Sequence, residues 1–148
     1  MCYFNCNGPQ EDVRALLSNP LYDQKVTYLL GSALNIDDLK RARCDIAECM
    51  FFLADIKADD ALVAAEDAAT VLRALSVSNF NPQLKCLVQV LKPEERVILR
   101  DNDIGVILCL EEYKQHYKPE MQHVDISVRL LKIYFIQLNP FQNLKLIV

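Results

Sequence analysis

The chain is short of the residues on which several common functions depend. Its 148 residues include three glycines, two histidines and no tryptophan. The glycines are Gly8, Gly31 and Gly105, too far apart for the G-x-G-x-x-G turn of a dinucleotide site or for a phosphate loop. The sequence also contains no G-x-S-x-G, H-E-x-x-H or C-x-x-C, which removes the usual signatures of serine hydrolases, zinc peptidases and redox or zinc cysteine pairs. Gly31 is interpreted as a turn that ends a strand.

The charge and the cysteines narrow the class further. A net charge of −4, with 16 basic residues spread along the chain, argues against nucleic acid and against a membrane surface as partners. We expect no secretory signal peptide, so the six cysteines are predicted to be reduced, buried thiols. They are Cys2, Cys6, Cys44, Cys49, Cys86 and Cys109. Polar residues and Pro140 interrupt the apolar tail, so it is not predicted to be a transmembrane helix, which needs about 20 nearly uninterrupted apolar residues.

Strands and helices alternate along most of the chain. Strands are predicted at MCYFNC, KVTYLL, CMFFLA, LKCLVQVL and GVILCL. Helices are predicted to begin near Glu11, Asn35, Asp59 and Pro93. Asn35 is placed to cap its helix, with Asp37 in the first turn. The alternation predicts an α/β fold with a Rossmann-like parallel sheet and flanking helices.

Two helices carry apolar stripes that are predicted to face the sheet. In the helix after Asn35 the stripe is Leu39, Ala42, Ile46 and Ala47. In the longer helix, from Asp59 to about Asn79, the predicted inner face is Leu62, Ala65, Ala69, Leu72, Leu75 and Ser76.

Pairs of adjacent acids are the one unusual feature. They are Glu11-Asp12, Asp37-Asp38, Asp59-Asp60, Glu66-Asp67, Glu94-Glu95 and Glu111-Glu112. Most fall in first turns of predicted helices, where they complement the helix dipole. The segment DNDIGVILCLEE has Asp101, Asp103 and Glu112 at calcium-loop positions, but its sixth position is Val106 instead of glycine. We reject an EF-hand and keep Asp101 and Asp103 as candidates for an irregular divalent-cation site.

The two histidines are predicted to be surface or partly packed residues. His116 and His123 are seven residues apart, Pro119 lies between them, and no third metal ligand stands at a supporting spacing. We predict no catalytic and no cofactor-binding residue.

Three stretches together resemble the first RCK domain of the Slo potassium channels, which are calcium- or sodium-activated and of large conductance. They are YLLGSALNIDDLKRARCDIAECMFFLAD, AAEDAATVLRALSVSNF and LVQVLKPEE. The most specific element is Glu66-Asp67-Ala68-Ala69 at the opening of a long helix, and GSAL with DLKRA resembles the sodium-activated branch. The resemblance covers residues 1–113. Residues 114–148 form a divergent tail whose fold is left open.

The resemblance implies a regulatory domain with a Rossmann-like fold and no enzymatic activity. In Slo channels tandem RCK domains from four subunits form a cytoplasmic gating ring that couples ion binding to the pore. It therefore implies Ca²⁺ or Na⁺ as the regulatory ion of the full-length channel, and other RCK domains of a tetramer as partners. No ion ligand carries over, and a position that bears an acidic magnesium ligand in some members is Thr27 here. The helices from Asp59 to Asn79 and from Pro93 to Arg100 are the predicted assembly surfaces.

The resemblance also implies a gap in the sheet. MCYFNC resembles the family's second strand, so the first strand and the pore are absent from this sequence. In a doubly wound sheet the first strand is central, and its loss leaves two strand edges open to pairing. Either the chain is a fragment of a channel, or the tail strand NLKLIV fills the gap. The alternatives are a degenerate nucleotide-binding oxidoreductase-like domain and a truncated RCK-like module without channel activity.

Overall fold

The described residues form a six-stranded, fully parallel sheet at the centre of the fold. The computed structural model describes residues 2–5, 7–9, 11–20, 26–55, 59–104, 106–109, 111–112 and 144–147. The strands are β1 (Cys2–Asn5), β2 (Thr27–Leu30), β3 (Cys49–Phe52), β4 (Lys85–Val90), β5 (Val106–Cys109) and β6 (Leu144–Ile147). The helices are α1 (Glu11–Leu17), α2 (Ile36–Arg41), α3 (Val63–Phe80) and α4 (Arg96–Asp101). The predicted Rossmann-like parallel sheet with flanking helices is confirmed.

The order of strands is β2-β1-β6-β3-β4-β5, so the strand latest in the sequence lies near the centre. β6 pairs with β1, where Lys145 is opposite Cys2, and with β3, where Leu144 is opposite Cys49. The tail strand therefore fills the predicted gap, which was one of our two hypotheses. The domain boundary after residue 113 stays a prediction, and β6 is the part of the tail that the structure describes.

The main core lies on the side of the sheet that carries α2, α3 and α4. Its fully buried side chains include Leu39 of α2, Phe52 of β3, Val77 of α3, Val88 of β4 and Leu99 of α4. Burying each of these side chains stabilises the fold by about 1.5–3 kcal/mol. All four residues of β3 are buried, as its uninterrupted apolar sequence predicted.

The second helix, α2, ends before the last residues of its predicted apolar stripe, which extended to Ala47. α2 ends at Arg41 because Arg43 adopts the left-handed conformation, with φ 57°, and the Cys44 N–H donates to the Leu39 carbonyl at 3.0 Å. This is the Schellman ending of a helix. Ile46 therefore lies beyond the helix and is 58% exposed, so the prediction that it faces the sheet was wrong. The remaining stripe residues are buried: Leu39, Ala42 and Ala47.

α4 ends in the same backbone turn. Asp103 has φ 54°, and the Ile104 N–H donates to the Leu99 carbonyl at 3.0 Å. Ile104 and Leu99 are both buried, which supplies the apolar contact that accompanies this ending. The helix itself begins at Arg96, about one turn after the predicted start at Pro93.

The buried face of α3 differs in part from the predicted one. Its buried residues are Val63, Asp67, Thr70, Val71, Ala74 and Val77. Leu62 and Leu72, predicted to face inward, are 57% and 56% exposed, so the prediction was wrong for them, whereas Leu75 is partly buried and packs against the core, as predicted. Apolar residues surround the helix on most sides, so their spacing alone does not select a face. The decisive residue is Asp67, whose contacts are given below.

The described residues bear on two predictions, that the cysteines are buried thiols and that the chain has no transmembrane helix. The five cysteines in that part of the chain form no disulfide there and are buried, as predicted: Cys2, Cys44, Cys49, Cys86 and Cys109. Cys6 lies outside it. None of the helices in the described residues is both long and apolar enough to cross a membrane.

Candidate functional site

Asp67 fastens the start of α3 to the chain that leaves β4. Its side chain is fully buried, and its two oxygens accept hydrogen bonds from the backbone N–H groups of Leu91 at 2.7 Å and Lys92 at 2.9 Å. These amides follow the last residue of β4. A buried carboxylate with one accepted bond on each oxygen fixes the helix rigidly to the carboxyl end of the strand.

The surroundings of Asp67 act on its protonation in opposite directions. Burial raises the pKa of the Asp67 carboxyl above its ordinary value of 3.8, because the charged form loses hydration. The N–H groups of Leu91 and Lys92 lower the pKa, and the carboxylates of Glu66 and Glu94 raise it. The net direction is upward, with burial as the largest cause.

Glu66, the neighbour of Asp67, reaches the end of β3 instead. Its Oε1 accepts a hydrogen bond from the Asp55 N–H at 3.3 Å and lies 3.7 Å from the Arg73 guanidinium. The acid pair thus contacts the segments that follow two neighbouring strands, β3 and β4, from one helical turn. We call Glu66 and Asp67 the acidic anchor.

The contacts of the acidic anchor were not recognised from the sequence, where Glu66-Asp67 was used as the most specific element of the family resemblance. A signal was present, because Asp67 stands at core spacing with Val63, Val71 and Ala74 on the buried face of α3. A charged residue inside an apolar stripe indicates a buried polar contact. Thr70, on the same face, is also buried, and its hydroxyl has no hydrogen-bond partner among the described residues.

A second anchor lies where β2 meets α2. The Asn35 side chain accepts the Asp37 N–H at 2.9 Å, which confirms the predicted cap. Asp38 accepts the Ser32 N–H at 3.0 Å and pairs with Arg41 at 2.5 Å. The Ser32 N–H is the largest cause that lowers the pKa of Asp38, and Arg41 lowers it further. Asp38 therefore holds the loop after β2 against the first turn of α2.

Large apolar side chains lie exposed on α3 and α4. At the start of α3 and along it, Leu62 and Leu72 are 57% and 56% exposed, and on α4 Val97 and Ile98 are 57% and 44% exposed. The two helices contact each other. Exposed apolar side chains on neighbouring helices can form a surface that binds another protein. We call these four residues the α3–α4 apolar residues.

A second exposed group lies around β2 and α2. It consists of Leu30, Leu34, Ile36 and Ile46, each between 55% and 58% exposed. This group was not predicted, and it offers matched controls for the α3–α4 apolar residues.

A cleft of about 330 Å³ opens beside α4. It is lined by Arg96, Arg100, Asp103, Ile104 and Ile107. The Arg96 guanidinium also pairs with the Glu112 carboxylate, which follows β5. The ion pair joins the start of α4 to the segment that follows β5.

The candidate ion ligands do not converge within the described residues. In that part of the chain, no three His, Cys, Asp or Glu side chains form a group that could hold a metal ion. Asp103 instead ends α4, and Thr27 is the exposed first residue of edge strand β2. His116 and His123 lie outside the described residues. The absence of catalytic and cofactor-binding residues stays a prediction.

Comparison with known proteins gives one family. Residues 4–88 match the family described as the calcium-activated potassium channel slowpoke-like RCK domain. Human potassium channel subfamily T member 1 is 41% identical over 102 residues, which is 69% of this chain and 8% of that protein. Rat potassium channel subfamily U member 1 is 34% identical over 73 residues, or 49% of this chain and 6% of that protein.

A solved structure shares the fold. The human SLO3 gating ring superposes with a TM-score of 0.57 over 73% of this chain and 24% of that chain, at 21% identity. The chain thus spans about 8% of the length of its subfamily T relatives and about a quarter of this structural neighbour. The relatives named here are potassium channels.

Proposed function

Because the chain belongs to the calcium-activated potassium channel slowpoke-like RCK domain family, we propose that it is a cytoplasmic regulatory segment of a potassium channel. In this role it couples ion sensing to opening of the pore, as part of a gating ring. The observation that carries the proposal is the family match over residues 4–88, together with 41% identity to potassium channel subfamily T member 1.

The acidic anchor supports a mechanical role. A segment that transmits a displacement must move as one body, and Glu66 and Asp67 tie α3 to the ends of β3 and β4. Packed cores and satisfied buried polar contacts resist gradual deformation. A movement imposed on the carboxyl edge of the sheet is therefore passed to α3 and its exposed side.

We propose other RCK domains as the partners of that exposed side. The α3–α4 apolar residues fall on the two helices predicted to be assembly surfaces, and the structural neighbour is named a gating ring. We further propose Ca²⁺, the ion in the family's description, or Na⁺, implied by the sequence resemblance, as the regulatory ion of the full channel.

Binding to a gating-ring segment of human potassium channel subfamily T member 1 tests the partner proposal. The chain and that segment would be expressed together, and their association measured by co-purification and light scattering. Leu72→Asp should abolish association, because the carboxylate would have to be desolvated in the interface. Leu34→Asp is the matched control, since Leu34, in the turn before α2, is 58% exposed and Leu72, on α3, is 56% exposed. Equal loss in both variants, or loss only with Leu34→Asp, would reject α3 as the assembly surface.

A further inference from the structure

The sheet has a second buried face, opposite the main core. Successive side chains of a strand point to opposite faces, and Met50, Phe52 and Val88 belong to the main core. Their neighbours along β3 and β4 therefore point the other way. Four of these neighbours are also buried: Cys49 is 2% exposed, Phe51 5%, Leu87 6% and Gln89 5%. We call these four residues the second face.

The described helices explain the burial of the main core but not that of the second face. α2, α3 and α4 contribute Leu39, Val77 and Leu99 to the main core. α1 joins β1 to β2, at the end of the strand order that lies far from β4 and β5. The burial of Leu87 and Gln89 on β4 therefore requires a cover other than these four helices. The exposed fractions are those of one chain alone, so this cover belongs to the same chain.

The handedness of parallel connections predicts which segment crosses the second face. In the strand order β2-β1-β6-β3-β4-β5, the connections through α2, α3 and α4 all run towards β5, and all three helices lie on the main-core side. Such connections are right-handed in about 98% of cases, so a connection that runs the other way lies on the opposite face. The chain from β5 to β6 runs the other way, across β4 and β3. It comprises residues 110–143, more than the dozen or so residues that a crossover needs.

One run within residues 110–143 has a composition that suits a cover. Residues 111–125 are mostly polar, whereas nine of the thirteen residues in 126–138, ISVRLLKIYFIQL, are apolar. The second face also requires a polar contact, because Gln89 Nε2 is buried and has no hydrogen-bond partner among the described residues. Ser127 and Gln137 lie among the apolar residues of the run and carry side-chain oxygens that can accept this bond.

We propose that the second face is an intramolecular docking site and that residues 126–138 of the same chain occupy it. The apolar side chains of the run cover Phe51 and Leu87, and an oxygen of the run accepts a hydrogen bond from Gln89 Nε2. A partner protein can then reach the second face only if the run leaves it, which directs association to the exposed sides of the helices. The inference stands apart from the proposed gating role, because burial and strand order alone carry it.

Nuclear Overhauser effects in the wild-type chain identify the occupant without a variant that could fail to fold. With leucine and valine methyl groups labelled, we expect effects between the Leu87 methyls and residues 126–138. The methyls of Val88, the next residue of β4, are the control and should show effects to α3 instead. A sample mixed from labelled and unlabelled chains separates contacts within one molecule from contacts between two. Contacts of Leu87 with a second molecule would assign the face to a second copy, and the absence of contacts with residues 126–138 would remove the run from it; either result overturns the proposal.

Thiol protection tests whether the run shields that face. The full chain would carry four substitutions in the run: Leu130→Ser, Leu131→Ser, Phe135→Ser and Ile136→Ser. Alkylation by iodoacetamide would be followed by mass spectrometry at Cys49, on the second face, and at Cys86, which is 4% exposed on the main-core side and serves as the internal control. We expect Cys49 to react about tenfold faster than in the wild-type chain, because the cover loses apolar contacts, and Cys86 to react at an unchanged rate. An unchanged rate at Cys49 would contradict the proposal. Equal acceleration of both thiols would also contradict it, since the run would then support the whole fold instead of covering one face.

Discussion

Removing the Asp67 carboxylate is the sharpest stability test that the structure offers. Asp67→Ala leaves the N–H groups of Leu91 and Lys92 without an acceptor; the first is buried and the second partly so. An unsatisfied buried donor costs about 1–3 kcal/mol, so we expect a loss of about 2–4 kcal/mol in the free energy of unfolding. For a chain of this length that loss corresponds to a midpoint lowered by roughly 6–12 °C. Asp67→Asn keeps one accepting oxygen and should lose about half as much.

The assay is urea unfolding followed by circular dichroism, with the slope of the transition checked for constancy. Asp60→Ala is the control, because Asp60 is an exposed acid shortly before the same helix. It should change the free energy of unfolding by no more than about 0.5 kcal/mol. If Asp67→Ala were as mild as the control, the two amide hydrogen bonds would not hold α3 to β4, and the account of the acidic anchor would fail.

Three further predictions concern the end of α2, the pH dependence of stability and two buried cysteines. Arg43→Gly should raise the free energy of unfolding by about 0.5–1 kcal/mol, since glycine adopts the left-handed conformation without strain, and thermal unfolding measures it. The pKa of Asp67 is raised in the folded protein, so the native state binds the Asp67 proton more tightly than the unfolded chain does. The bound proton therefore adds to the free energy of unfolding at low pH, and this stabilisation is lost as pH rises from about 4 through the folded pKa. The difference in free energy of unfolding between wild type and Asp67→Asn should therefore become smaller over that pH range. A difference that grows with pH would mean that the pKa of Asp67 is lowered by folding. Burial raises the pKa of Cys49 to about 11 and that of Cys86 to about 12, so both should react with iodoacetamide at pH 8 only as the protein unfolds. Rapid labelling of the folded chain would contradict their burial.

The sequence predicted the strands well because their signal is local. Runs such as CMFFLA and LKCLVQVL are apolar without interruption, which is the pattern of central parallel strands, and both form strands whose cores are buried. The cap at Asn35 was also readable, since a cap depends on residues two positions apart.

The errors arose where tertiary contacts override local pattern. The buried face of α3 is decided by Asp67, whose partners lie more than twenty residues away, and no helical spacing reports such a contact. The end of α2 depends on Arg43 in a conformation that favours glycine, so the sequence carries no stop signal there. The position of β6 follows from the pairing of strands far apart in the chain, which is why it could only be offered as one of two hypotheses.

Transplantation into a channel tests the central claim most directly. Residues 4–88, which match the family, would replace the aligned segment of human potassium channel subfamily T member 1, and potassium current would be recorded in excised patches while cytosolic Na⁺ and Ca²⁺ are varied. The account predicts a channel that reaches the membrane and still opens in response to the ion, and one whose response is weakened by Asp67→Ala in the transplanted segment. A chimera that reaches the membrane and conducts potassium with no dependence on either ion would contradict the proposal that this chain couples ion sensing to the pore.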